Sequence, residues 1–311
     1  MKTTQHLRHH SSAWLAVMGL ICLSESALAA PFLGSELASF TVLGASTVTG
    51  IPTNTILGSV GVWSSGGANA ITGFQSSPGV AVSDPQVTGG MVHAGTPYAE
   101  EAQHQLTTAI NNLASFGVGT LLAADLVGLT LIPGVYTVPQ GTTNLSGAMT
   151  LDGQGNANAA WVFQMPSTLI TSSNSVINLI SAGAGAGVYW NVGSSATIGT
   201  NSTFLGNILA LTSITMNTSA TNLCGRVLAD NGAVTLDSNS LTGTCAGLFA
   251  GSENLSGGLE QVASATGGNA TVAFLPFAAV DQVGTVPEPS SLALLGLGFA
   301  GLMVSRRKSA R

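Results

Sequence analysis

Ala148-Met-Thr-Leu-Asp152, Ala196-Thr-Ile-Gly-Thr200, Ile214-Thr-Met-Asn-Thr218 and Val234-Thr-Leu-Asp-Ser238 share one short pattern: apolar, Thr, apolar, then a small or polar residue. Thr168-Leu-Ile-Thr-Ser172 is a degenerate member, and the pattern returns loosely every 18 to 22 residues between Ala148 and Thr244. Repeats this short, separated by Gly, Asn and Ser turns, indicate a β-solenoid whose coils stack like strands of a parallel sheet, about 4.8 Å apart. Period-two alternation turns Thr150, Thr171, Thr197, Thr215 and Thr235 outward on one strand row. Leu151, Ile170, Ile198, Met216 and Leu236 then face in, and Asp152 and Asp237 lie outward at the two ends of the row.

A second row reads Trp161-Val-Phe163, Val188-Tyr-Trp190, Ile208-Leu-Ala210 and Val227-Leu-Ala229. Consecutive apolar positions in a strand mean that both faces are buried, so an element outside the coils has to cover this side. Upstream, Thr96 can cap a helix, Pro97 suits its first turn, Glu100 and Glu101 favour its N-terminal dipole, and Gly117 can stop it. Ala102, Leu106, Ala109, Ile110 and Leu113 form a stripe at helical spacing. Twenty helical residues span about 30 Å, the height of roughly six coils. The residues from Val118 to Cys245 also supply about six coils at this repeat length.

The termini read as addresses. Lys2 and Arg8 precede an apolar stretch from Ala13 to Leu23, and Ala27-Leu-Ala29 supplies a small-x-small cleavage site, so residues 1-29 are expected to be a signal peptide. At the other end Val286-Pro-Glu-Pro289 leads into an apolar run from Leu292 to Val304 and then Arg306-Arg-Lys308. Thirteen apolar residues fall short of the roughly 20 that a stable span takes, and the basic tail favours the cytoplasmic side. This segment, 286-311, resembles the PEP-CTERM sorting signal of Gram-negative bacteria, which implies recognition through Pro287, Glu288 and Pro289 by an exosortase after a signal peptidase has acted. Export places Cys224 and Cys245 in an oxidising compartment, and their 21-residue spacing sets them on adjacent coils, where a disulfide is expected.

The composition excludes whole classes of function. The 311-residue chain is 45% apolar and only 6% charged. Between the two addresses Arg226 is the one base against 11 acids, so the domain cannot neutralise a run of phosphates, whether of nucleic acid or of anionic headgroups. No enzyme constellation is legible either. Arg226, His93 and His104 supply neither the cationic groove nor the paired carboxylates of a polysaccharide-cleaving solenoid, and two separate histidines make no metal site. His93 reads as a loop residue. Asp152-Gly-Gln-Gly-Asn156-Ala-Asn158 lacks the ligand alternation of a calcium loop and reads as a turn. Gly183-Ala-Gly-Ala-Gly-Ala-Gly187 lacks the Lys of a phosphate loop and reads as a flexible turn between coils. The Asn201-Ser-Thr and Asn217-Thr-Ser sequons read as chance in an Asn- and Thr-rich chain.

Ala38 to Thr49, Leu129 to Tyr136, Val192 to Phe204, Gly206 to Thr215 and Gly225 to Asp237 together resemble the microbial ice-binding protein family, over about Ser35 to Cys245. The resemblance implies a mostly β fold: a right-handed, discontinuous β-solenoid of triangular cross-section with one long α-helix alongside. It also implies ice as partner, bound by a flat solenoid face without cofactor or metal. A discontinuous chain order would let Thr47, Thr49 and Thr55 join that face. Thr suits it because its χ1 is stiff in a strand and because it adds no charge.

The expected organisation is therefore a signal peptide over 1-29, the solenoid over 30-245, a Gly/Ser spacer over 246-285 whose short apolar strand, Thr271 to Val280, packs on the solenoid end, and the sorting signal over 286-311. The expected function is adsorption to ice by an exported, non-enzymatic protein at the cell surface or outside the cell, its membrane contact transient and made by the C-terminal apolar segment. The alternative is a structural or adhesion protein of the envelope or matrix, linked to exopolysaccharide.

Overall fold

The computed structural model describes residues 32–243, except 52, 68 and 140, together with 255–262 and 271–280. The expected signal peptide and sorting signal lie outside the described residues.

Three sheets of ten, eight and seven strands form the three sides of the solenoid, parallel throughout except where the edge strand Ala81–Val82 joins the first. In the segment after the helix each coil visits the ten-stranded first sheet, the seven-stranded second sheet and the eight-stranded third sheet in turn. Gly187–Val192, Ala196–Ile198 and Thr203–Phe204 make one such coil, and Asn207–Ala210, Ile214–Met216 and Thr221–Asn222 make the next. Stacking is not in chain order. The coil of Val227–Ala229, Val234–Asp237 and Ser240–Thr242 is followed by Phe40–Gly44, Thr47–Ile51 and Thr55–Leu57, which precede it in the sequence by some 185 residues. The chain thus builds one end first, from Phe40 to Ala94. Its helix then carries it to the opposite end, and it stacks back until it meets its own beginning. This is the discontinuous solenoid that the family resemblance implies.

The helix runs Pro97–Ala114, with the Thr96 hydroxyl accepting from Ala99 N at 3.2 Å, and Gly117 turns the chain out of it at φ 70°. Ala99, Ala102, Leu106, Ala109 and Leu113 are buried against Leu43, Val162, Tyr189, Leu209 and Leu228 of the first sheet, forming a core distinct from the one inside the coils. The interior core stacks Phe163 on Trp190, ring centroids 4.0 Å apart and 5° from parallel. The consecutive apolar triplets are explained: Phe163 and Trp190 look into the coils while Val162 and Tyr189 look at the helix. A one-turn helix, Ser35–Ser39, adds to the single helix expected.

Several local expectations are corrected. His93 is not in a loop. It lies in the strand Val92–Ala94, its Nδ1 3.2 Å from Thr96 Oγ1, and burial pushes its pKa below the usual histidine value. The stretch read as spacer is partly built into the domain. Leu255 is fully buried in the interior core, and Leu259–Val262 pairs antiparallel with Thr271–Phe274. That apolar strand was expected on the solenoid end. It lies instead along the helix side, Phe274 against Phe116 at 5.1 Å. The chain beyond it lies on the turn at 155–158, where Asn156 Oδ1 accepts from Ala278 N and Asn158 Nδ2 donates to Pro276 O, each at 3.0 Å. We call residues 255–280 the strap.

The strap explains two sequence features. A Cβ on Gly187 would sit 1.9 Å from Gly257 O, and one on Gly257 would sit 2.2 Å from Gly185 O. The glycine run is therefore a close crossing of two backbones, and the flexible turn expected there is a packed one. Arg226, the lone base, is 1% exposed. It donates to Ala38 O, to Asn207 Oδ1 at 3.0 Å and to Ser256 Oγ, joining the N-terminal segment, a central coil and the strap. Cys224 is buried and disulfide-bonded; Cys245, its expected partner, lies outside the described residues.

Candidate functional site

The second sheet is the side on which alternation is cleanest. Its strands are three to five residues long, and their pairings run without a register shift, whereas pairings in the first and third sheets slip at Phe40/Val42 and at Asp152/Asn156. Following partners across it gives one outward column: Asn144, Ile170, Thr197, Thr215, Thr235, Thr49 and Thr72. Five threonines in succession stand at the strand spacing of about 4.8 Å, and the whole column spans about 29 Å. The Thr72 and Thr49 hydroxyls meet at 3.2 Å. Beneath the column Ala196, Ile214, Val234, Val48 and Ile71 fill the coil interior.

Of the expected site residues, Thr49, Thr197, Thr215 and Thr235 are in the column. Thr47 is on the same face two residues along, paired with Ala70. Thr150 and Thr55 are not on this sheet. They belong to the third, Thr150 between Thr130 and Asn178, and Thr55 beside Ser240. Any half-buried strand reads apolar, Thr, apolar, so the pattern does not say which side of the coil it occupies. Asp152 goes with Thr150 to the third sheet and does not end the row.

Thr171 is the second correction. It points inward, 3% exposed, and its Oγ1 accepts from Gly199 N at 2.8 Å, while Ile170 stands outward in the column, 40% exposed. The degenerate repeat is thus offset by one residue, which moves every side chain to the other face. A hydroxyl is tolerated inside because it is hydrogen-bonded. Thr72 was missed because its strand, Ala70–Thr72, lies in the N-terminal segment, outside the stretch where the repeat was read.

Both margins of the column hold adjacent coils together. On one, Ser195 Oγ accepts from Ser213 N at 3.3 Å and Ser213 Oγ from Ala233 N at 3.1 Å. On the other, the chain turns toward the third sheet through Asn174, Asn201, Ser219, Ser238 and Thr53, all at φ between 52° and 91°. Asn and Ser serve here because short polar side chains tolerate the left-handed region. The Asn201 sequon therefore marks a turn. Inside this corner Ser175 and Ser202 share a hydrogen bond of 2.9 Å, and Asn239 Nδ2 donates to Asn217 O and Ala220 O, each at 2.9 Å. Five successive corners repeating one geometry keep the sheet in register.

Asp237 is the single charged residue in the strands of this sheet, and Thr218 Oγ1 donates to its carboxylate at 2.5 Å. Among the described residues no group of three His, Cys, Asp or Glu side chains is placed to hold a metal ion.

The fold and this face together define the class as a discontinuous parallel β-solenoid with one in-register Thr side. Within it, residues 42–242 match the family model described as Ice-binding-like, and the chain belongs to that family. Residues 285–308 match the PEP-CTERM protein-sorting motif. The chain is 38% identical over 301 residues to an ice-binding protein of Nostoc sp. (strain HG1), covering 96% of this chain and 95% of that protein. Among solved structures it is similar to the ice-binding protein of the Antarctic ascomycete Antarctomyces psychrotrophicus, with TM-score 0.58, 35% identity, and 68% of this chain and 96% of that one covered. It is also similar to the domain of Shewanella frigidimarina ice-binding protein 1, with TM-score 0.60, 28% identity, and 68% and 97% covered.

Proposed function

We propose that this protein is delivered to the cell surface or the extracellular space and adsorbs there to ice through the second sheet, slowing ice growth and recrystallisation. The observation that carries the reading is the unbroken column Thr197, Thr215, Thr235, Thr49, Thr72. Adsorption to a solid asks for no bond making. It asks for a rigid array of methyls and hydroxyls that water can pack against in repeating order, with few charges to hold water otherwise. Packing fixes the Thr backbones, β-branching restricts their χ1, and the methyls suit an apolar contact while the hydroxyls join the water network. Asn144 and Ile170 extend the face without charge as far as Asp125, which bridges to Asn144. The relatives' names describe the same activity, and no catalytic role is assigned to any residue.

The test is thermal hysteresis and ice recrystallisation inhibition by the full-length mature chain, beside Thr215→Tyr and Thr215→Ser. Activity is collective, so the protruding ring lowers hysteresis by about an order of magnitude while Ser, which adds no bulk, keeps most of it. A wild type that is inactive at high protein concentration refutes the function.

A further inference from the structure

The two ends of the solenoid are finished differently. At one, Ala81–Val82 folds back antiparallel on Val92–Ala94, and the adjoining loop is pinned by Asp84, 6% exposed, which accepts from Gln75 N and Gln86 N at 2.7 Å. The other end has no such cover among the described residues. Thr120–Leu121 and Thr130–Leu131 are the last strands of their sheets, and around them Val118 is 62% exposed, Leu121 65%, Val127 45% and Ile132 49%. Proteins blunt bare sheet edges with lysines, prolines or covering elements. Residues 118–132 carry one charge, Asp125, whose carboxylate is turned back onto Ser146 Oγ at 2.5 Å.

The position of the strap says what meets this end. Its last described residue, Val280, donates its N–H to Gly155 O at 2.8 Å. Gly155 lies in Ala148–Asn156, the strand paired directly with Thr130–Leu131. The last described residue of the strap therefore lies one strand spacing from the uncapped coil, where Phe277 is 67% exposed. The sorting-motif match begins at residue 285, five steps and at most about 18 Å away, and the apolar run starts at Leu292, at most about 43 Å away. From Ala148–Asn156, where the strap ends, to Val87–Thr88 at the far end of the third sheet is six spacings, about 29 Å. The near end meets a bilayer holding that run directly, whereas the far end would first spend about two-thirds of the linker's full reach on the height of the solenoid.

Charge selects the same end. Glu36, Glu100 and Glu101, on the two helices beside the far end, are repelled by anionic headgroups, whereas residues 118–132 carry Asp125 alone. We propose that, while the C-terminal segment is in the membrane, the terminal coil docks on the lipid surface through Val118, Leu121, Val127, Ile132 and Phe277. The solenoid then stands end-on and the Thr side faces along the membrane, clear of it.

The mature full-length chain, reconstituted in phosphatidylcholine vesicles, tests this with a fluorophore at Thr130→Cys or, at the far end, Val80→Cys, and spin-labelled lipid as quencher. Docking predicts strong quenching at 130, little at 80, and a fall at 130 to the level at 80 when Val118→Glu and Leu121→Glu are added. Equal quenching at both ends overturns the proposal. So does quenching at 130 that the two glutamates leave unchanged, since the tether alone then explains it. A vesicle-free chain that sediments as a dimer, and as a monomer with the glutamates, assigns the surface to a second copy and also overturns it.

Discussion

Two sides of the solenoid expose Thr and Ser in similar numbers. On the second sheet the column runs through five threonines without a break. On the third, Thr203, Thr221, Ser240 and Thr55 align, but Thr130 and Thr150 fall on a different column, Val176 interrupts the first, and the pairing slips after Asp152. The strap lies where the third sheet turns into the first, and Ile180 stands out at 47% exposure. Composition alone does not separate the two sides. Register does, because an adsorbing surface needs its groups repeated at one spacing, and a bulge breaks the repeat however many threonines it contains.

If the strap serves the covered sides and the column serves the bare one, damage to the strap should cost stability and spare the surface. Leu255→Ala removes a fully buried side chain, at a cost of about 2–5 kcal/mol and a fall of roughly 5–15 °C in Tm by calorimetry. Hysteresis near freezing, far below the transition, should be unchanged. Gly187→Ala forces a methyl into the crossing with Gly257 and should cost about 1–3 kcal/mol by denaturant unfolding, again with activity retained. A loss of activity in step with stability in either variant would mean that the column depends on the strap.

His93 offers a titration of the same division. Burial depresses its folded pKa, so the fold favours the neutral ring. The stability it contributes is fully present above the unfolded value, about 6.5, and is lost as pH falls through that value toward the folded one. His93→Gln should flatten the midpoint of unfolding between pH 7 and pH 5. The Thr column contains no titrating group, so hysteresis of the folded protein should not follow.

The smallest effect sharpens the comparison. Ile170→Thr lengthens the run of threonines by one at a partly exposed position. Stability should change by no more than about 0.5 kcal/mol, and hysteresis should rise modestly.

How much of this was legible in the sequence follows from where the signal was local. The helix was readable from Thr96, Pro97 and the apolar stripe because capping and 3.6-residue periodicity act within a few turns of chain. The apolar triplets announced a doubly covered sheet because Val162 and Tyr189 need a partner outside the coils. The side of the coil to which a repeat belongs was not readable. Thr150 and Thr215 sit in the same local pattern, and only the path around the corner separates them. Thr171 and Ile170 exchanged faces because both alternations leave one apolar residue exposed or one hydroxyl buried, and the Gly199 amide that decides between them lies a coil away. The strap was hidden for a similar reason. Gly185, Gly187 and Gly257 read as flexible until their backbones are seen to cross.

The most direct measurement pairs two substitutions of the same kind on the two sides: Thr235→Tyr in the column of the second sheet and Thr221→Tyr in the row of the third. Fluorescently labelled wild type and variants are adsorbed to a single ice crystal, and the labelled planes are compared. The account predicts that Thr221→Tyr labels ice as the wild type does and that Thr235→Tyr does not label it. Labelling that survives Thr235→Tyr and disappears with Thr221→Tyr would contradict it and move the surface to the third sheet.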